Sequence, residues 1–98
     1  MKQINPIEVE ALLKEKSPIN IIDVRELNEV KVGKIPTAMH IPLGLMEFKM
    51  QDLDKSKEYI MVCRSGGRSS KAVNLLEDHG FKVVNMTGGM LEWKGSTE

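Results

Sequence analysis

Seven consecutive residues, Cys63-Arg64-Ser65-Gly66-Gly67-Arg68-Ser69, put one thiol, two guanidinium groups, two hydroxyls and two glycines into one short loop. Cys63 is the only cysteine of the chain. Gly66 and Gly67 can take backbone angles closed to other residues, which lets successive N–H groups converge on one point. A helix beginning just after the loop adds free N–H groups and its dipole, and Arg64 and Arg68 add two permanent cations. Such surroundings favour thiolate over thiol: cysteines at helix N-termini beside cations have pKa values of roughly 3.5–7.5 instead of about 8.5. The chemistry indicated is nucleophilic attack by Cys63 within an anion cradle. A cysteine kept only as a small buried hydrophobe needs neither the double glycine nor the two arginines.

The flanking segments predict how this loop is held. Tyr59-Ile60-Met61-Val62 reads as a buried strand of the parallel type, and from Ser70 to His79 the apolar positions Ala72, Val73, Leu75 and Leu76 recur at helical spacing before Gly80. Cys63 therefore falls at the carboxyl end of a strand, where open α/β sheets place their ligands. Upstream, Asn5 caps a helix over Pro6 to Glu15, with Glu8 as capping-box partner and Ile4 and Val9 placed for a hydrophobic staple. Ile19 to Val24 is a β-branched run of strand length, Glu26 to Val32 a short helix stopped by Gly33, and Ala38 to Ile41 a short strand between Pro36 and Pro42. Leu43 to Met50 fits neither period and is read as a short helix. Phe81 to Met86 reads as a further strand, Gly88-Gly89 as a turn, and Met90 to Lys94 as a closing helical turn. The alternation predicts an α/β fold: a small parallel sheet flanked by helices on both faces, with right-handed crossovers.

Composition narrows the function classes. With 98 residues the chain reads as one domain, 1–98, able to bury roughly 60% or more of its unfolded surface. Fourteen basic residues balance fourteen acidic ones along the chain, so neither nucleic acid nor a membrane surface is expected as a partner. One cysteine excludes an internal disulfide, and Cys63, His40 and His79 lack metal-ligand spacing, so no metal is implied. Gly66-Gly67 and Gly88-Gly89 lack the spacing of a nucleotide fingerprint, and no cofactor is implied. The N-terminus has no secretory signal pattern, and the expected compartment is cytoplasmic. His40 and His79 have no clear route to Cys63 and read as structural, and Trp93 and the methionines read as packing.

The motifs, taken in order, resemble those of the rhodanese-like sulfurtransferases over nearly the whole chain. Ile22-Asp23-Val24-Arg25-Glu26 is similar to the family's Asp-x-Arg strand end, and Gly33-Lys34-Ile35-Pro36 through His40-Ile41-Pro42-Leu43 to its second signature. Cys63 to Ser69 is similar to the active-site loop, and Gly88-Gly89 to Trp93 to the C-terminal signature. Lys34 departs from the pattern, standing where histidine is usual. The chain also stops five residues after Trp93, sooner than many relatives, which would leave one side of the site open to a bulky thiol or protein acceptor.

The resemblance implies a persulfide mechanism. Cys63 would take the outer sulfur of a small anionic donor such as thiosulfate or a persulfide, hold it as Cys63-S-S⁻, and pass it to a thiol, cyanide or a sulfur-carrier protein. Backbone N–H groups of residues 64 to 69 would stabilise the persulfide, with Arg64, Ser65, Gly66, Gly67, Arg68 and Ser69 around the substrate. Arg64 faces the mouth in this reading, and Arg68 either draws in the donor or braces the loop. Ser65 and Ser69 could each bond the sulfur, although Ser69 suits the cap of the following helix better. Asp23 and Arg25 support the site, pairing with one another or with loop backbone. The alternatives are a non-catalytic rhodanese-like binding or redox-sensing module, and a phosphatase or arsenate reductase. Phosphatase loops of this kind separate cysteine from arginine by five residues, whereas four separate Cys63 from Arg68. A reductase would also want a second cysteine to resolve the first.

Overall fold

Asn5 begins the first helix as its side chain predicts: its Oδ1 accepts the Glu8 N–H at 2.8 Å, and Glu8 Oε1 accepts the Asn5 N–H at 3.2 Å. This reciprocal box, with Pro6 at the first position, fixes α1 over Pro6–Lys14 and contributes about 1 kcal/mol. A computed structural model describes residues 1–98. Five strands form one sheet: β1 (Gln3–Ile4), β2 (Asn20–Asp23), β3 (Met39–His40), β4 (Glu58–Val62) and β5 (Lys82–Met86). Their order is β1-β5-β4-β2-β3, and every pairing is parallel. Helices α2 (Leu27–Val30), α3 (Met46–Lys49) and α4 (Gly67–Asp78) complete the fold, with 3-10 turns at Leu43–Leu45, Met50–Asp52 and Gly89–Glu92.

The period of two along β4 divides the core. Tyr59, Met61 and Cys63 face one side with Ala72, Val73 and Leu76 of α4 and with Met46 of α3. Ile60 and Val62 face the other with Val9 of α1, Ile21 and Met86, against which Ile4, Leu13 and Trp93 pack half-buried. Helices thus cover both faces, which is why β2, β4 and β5 read as nearly continuous apolar runs. Register then brings polar residues to one level. Asp23 pairs with Val62, and Asn85 with Met61, so the ends of β2, β4 and β5 converge beneath the loop that starts at Cys63.

Several boundaries differ from expectation for identifiable reasons. β1 was not anticipated: two residues carry no readable period, and it forms because Lys2 and Ile4 carbonyls accept the Asn85 and Thr87 N–H groups, each at 2.9 Å. α4 begins at Gly67 rather than near Ser70, because Gly66 turns the chain into the helix from the left-handed region, at φ 110°. The segment Leu43 to Met50 is helical only over Met46–Lys49 between two 3-10 turns. Its mixed pattern arises because Met46 is buried while Leu45 and Phe48 point to solvent. The closing turn is 3-10 over Gly89–Glu92 and stops before Trp93, instead of spanning Met90 to Lys94. No helix is long and apolar enough to cross a membrane.

Candidate active site

Cys63 follows directly on β4, and its Sγ lies under the turn that opens α4. The Gly66 N–H donates to Sγ at 3.0 Å, and Ser69 Oγ stands 3.3 Å from it. A residue with a side chain would be strained at Gly66, whose φ of 110° aims that N–H back at the sulfur. Gly67 is different. It is the first helical residue, and a Cβ there would meet nothing within 4 Å, so only one of the two glycines supplies the special backbone angle expected of both. Beyond Gly66, the first N–H groups of α4 have no partner within the helix and add positive potential at the sulfur.

Cys63 is 1% exposed, and burial by itself pushes its thiol up. The Ser69 hydroxyl and the backbone N–H groups of Ser69, Gly66 and Ser65 outweigh that burial, so the thiol is held below the ordinary cysteine value. A buried sulfur in a hydrogen-bonding cradle can carry negative charge without a neighbouring base, which is what a thiolate nucleophile or a persulfide anion needs.

Ser69 is not the helix cap. Gly66 takes that position, and Ser69 lies fully buried in the first turn of α4, close to Sγ. Its hydroxyl donates to Asn85 Oδ1, and Asn85 Nδ2 donates to Ser70 Oγ at 3.2 Å. Ser70 in turn donates to the Gly66 carbonyl at 2.7 Å.

The two arginines separate in role. Arg64 is exposed and joins none of the ion pairs, whereas Arg68 forks onto Glu29 of α2, with Nη1 to Oε1 at 2.6 Å and Nη2 to Oε2 at 2.8 Å. Chiefly through that pair, and against a smaller effect of burial, the Glu29 carboxyl drops to about 2. The Glu29 bond, against the opposing effect of burial, raises the Arg68 guanidinium further above its ordinary value, with a smaller contribution from Cys63. Ser65 and Gly67 are exposed at the rim.

The floor of the loop is fastened from behind. The Cys63 carbonyl accepts the Met90 N–H at 2.8 Å and the Arg64 carbonyl the Leu91 N–H at 3.0 Å. So close an approach requires glycine at 89, where φ is 58° and a Cβ would fall 2.5 Å from the Cys63 and Arg64 carbonyl oxygens.

Asp23 and Arg25 pair with one another below the site. Arg25 Nη2 reaches Asp23 Oδ2 at 2.8 Å and the Gly33 carbonyl at 2.8 Å, and the Arg25 N–H donates to Asp23 Oδ1 at 3.0 Å. Both are buried, and they tie the end of β2 to the turn after α2. His40 Nε2 contacts the Arg25 carbonyl at 2.7 Å and His79 Nδ1 the Leu75 carbonyl at 2.9 Å. No cluster of three His, Cys, Asp or Glu side chains is placed to hold a metal. Glu29 and Asn85 were not singled out from the sequence, and Gly89 was read only as a turn and part of the C-terminal signature. Asn85 was the most readable of them, as the one polar residue in the inward run Val83-Val84-Asn85-Met86.

The comparisons with known proteins agree with this geometry. The family model described as the rhodanese-like domain matches residues 5–96. YtwF of Bacillus subtilis, provisionally named a sulfurtransferase, is 43% identical over 98 residues that span 100% of this chain and 95% of that protein. A protein of Allochromatium vinosum named a sulfurtransferase is 32% identical over 94 residues, 92% of this chain and 88% of that one. The crystal structure of a rhodanese-like domain protein from Staphylococcus aureus matches with a TM-score of 0.95 at 37% identity, over 100% of this chain and 97% of that one. With its cysteine loop set between β4 and α4 of a parallel five-stranded sheet, the chain belongs to the rhodanese-like domain family.

Proposed function

We propose that the protein is a sulfurtransferase that carries a sulfane sulfur on Cys63. The observation that carries this reading is the cradle at Sγ: the Gly66 N–H at 3.0 Å, the Ser69 hydroxyl at 3.3 Å and the N-terminus of α4 all face one sulfur atom. In the first half-reaction the Cys63 thiolate attacks the outer sulfur of thiosulfate, the S–S bond of the donor breaks, and sulfite leaves with the bonding pair. Cys63-S-S⁻ remains, its charge facing the N–H groups of residues 64 to 69. In the second, cyanide or a thiolate attacks the terminal sulfur, and Cys63 departs as thiolate. Each half-reaction conserves charge and needs no metal or redox partner. The cycle is ping-pong.

Arg64, exposed beside the loop, draws the anionic donor, while Arg68 holds the loop through Glu29. Ser65 and Gly67 line the mouth. Asp23 and Arg25 act one step removed, keeping the end of β2 in place. Residues 1–98 act as one domain in this reading. Acceptors are thiols, cyanide as a test nucleophile, or a sulfur-carrier protein.

Intact mass tests the proposal. After brief exposure to thiosulfate, polysulfide or glutathione persulfide, the protein gains the mass of one sulfur atom, loses it on adding cyanide or a thiol, and Cys63→Ser gains none. Absence of the adduct with all three donors would overturn the assignment.

A further inference from the structure

The hydrogen bonds around Ser69 form a directed chain, and the direction matters for the sulfur. The Gly66 carbonyl can only accept, so Ser70 donates to it at 2.7 Å and presents a lone pair to Asn85 Nδ2 at 3.2 Å. That fixes Asn85 with Oδ1 toward Ser69, whose single proton has two oxygen acceptors within reach, Asn85 Oδ1 and, farther off, the Gly66 carbonyl at 3.2 Å, and goes to the nearer, Asn85. With its proton engaged, Ser69 turns a lone pair to Cys63 Sγ, 3.3 Å away, and so accepts the S–H of a neutral thiol. A thiolate or persulfide at the same place needs the opposite polarity. Ser69 and Asn85 are 0% and 3% exposed, so no bulk water stands in for the missing donor or acceptor.

We propose that Asn85 is a positioning residue for the transfer reaction: it competes with Cys63 for the one proton of Ser69 and so sets how readily the sulfur carries negative charge. When charge forms on the sulfur, the Ser69 hydroxyl swings from Asn85 to Sγ. Asn85 then rotates its amide, so that Oδ1 accepts from Ser70 and Nδ2 donates to Ser69. No covalent bond to sulfur is made or broken in this reorientation; the hydroxyl protons of Ser69 and Ser70 both turn, and the Gly66 carbonyl keeps the Ser70 N–H at 3.1 Å. The Gly66 N–H donates to sulfur in both states. The charged groups around the sulfur are Arg68 on α4, itself bound to Glu29 on α2 with Glu26 nearby, exposed Arg64, the self-paired Asp23 and Arg25 at the end of β2, and Glu92, whose carboxylate lies against Gly88 on the segment behind the loop. None of them hydrogen-bonds the side chain of Ser69 or Asn85.

The proposal rests on Cys63 as the nucleophile but is tested without sulfur transfer. Thiolate absorbance in the ultraviolet is followed against pH, with Cys63→Ser as the blank, for the wild type, Asn85→Leu, Ser69→Ala and the double variant. With Asn85 gone, only the longer contact to the already twice-bonded Gly66 carbonyl competes with a charged sulfur, and Ser69 donates to the thiolate, so Asn85→Leu lowers the midpoint and raises the thiolate fraction on the acid side about threefold to tenfold. In the Ser69→Ala background the same substitution leaves the midpoint unmoved. A merely structural role for Asn85 would not depend on Ser69. An unchanged or raised midpoint, or an equal shift in both backgrounds, would overturn the proposal, and Asn85→Ala makes the same comparison should leucine prevent folding. A lowered midpoint in a protein that takes up no sulfur would uphold the switch while refuting the transferase reading.

Discussion

Arg68 and Glu29 meet face to face across 39 residues of sequence, guanidinium fork on carboxylate at 2.6 and 2.8 Å, and so clamp the first turn of α4 to α2. The active loop is held between this clamp in front and the Met90 and Leu91 amides behind. Contacts within the chain itself thus hold it on two sides.

The clamp has a pH signature. Glu29 titrates near 2 instead of 4.5, first because of the Arg68 bond and against the opposing effect of burial. A carboxyl with a lowered folded-state value contributes stability that is complete above about 4.5 and is lost as pH falls toward 2. Because the pair is partly solvated, Glu29→Gln is expected to cost about 1 kcal/mol at neutral pH in urea unfolding. Between those two pH values the variant should lose stability less steeply than the wild type; parallel curves would show that the pair contributes nothing.

Sulfur uptake by the proposed route should follow the Cys63 thiolate. Burial raises the thiol, but the Ser69 hydroxyl and three backbone N–H groups outweigh it and hold it below the ordinary cysteine value. The second-order rate with thiosulfate should rise with pH and level off below that value. Ser69→Ala removes the leading stabilising bond and should shift the rise to higher pH, cutting the neutral-pH rate about threefold to tenfold. A profile unmoved by this substitution would remove Ser69 from the cradle.

Two glycines give opposite outcomes on becoming alanine. At Gly89 the added carbon would lie 2.5 Å from backbone oxygens at a φ of 58°, so Gly89→Ala should cost roughly 2 kcal/mol or more and displace the loop, with loss of activity in whatever folds. At Gly67 nothing lies within 4 Å, and Gly67→Ala should stabilise α4 by about 0.5–1 kcal/mol. Thermal unfolding of the two variants beside the wild type checks both signs.

Asp23→Ala strands a guanidinium that is 7% exposed and leaves it only the Gly33 carbonyl. A loss of about 3–5 kcal/mol is expected. Replacing both partners, as in Asp23→Leu with Arg25→Met, should lose less than the single change, measured as a double-mutant cycle. Additive losses would mean that the two residues act separately.

The loop was legible in the sequence because its elements are local: the apolar run Tyr59 to Val62 before Cys63, the helical spacing of Ala72, Val73 and Leu76 after it, and Gly66 between. The Asn5–Glu8 box was legible for the same reason. What could not be read joins residues far apart. Glu29 lies in a four-residue helix with no buried position, and nothing in its neighbourhood identifies Arg68 as its partner. Ser69 suited a cap because serine is common there, yet the left-handed turn at Gly66 starts the helix sooner and carries Ser69 inward to Asn85 and the sulfur. Gly89 looked like an ordinary turn, and only the packing of the Gly89–Glu92 segment against the Cys63 and Arg64 carbonyls shows why no side chain fits there.

The sheet is flanked by its shortest members. β1 and β3, two residues each, lie outside the longer β5, β4 and β2. An edge of that length offers an approaching chain very few free amides and carbonyls, too few to template a continued ladder. Self-association by strand addition is thereby discouraged at both margins, and the most apolar strands stay shielded from an approaching chain.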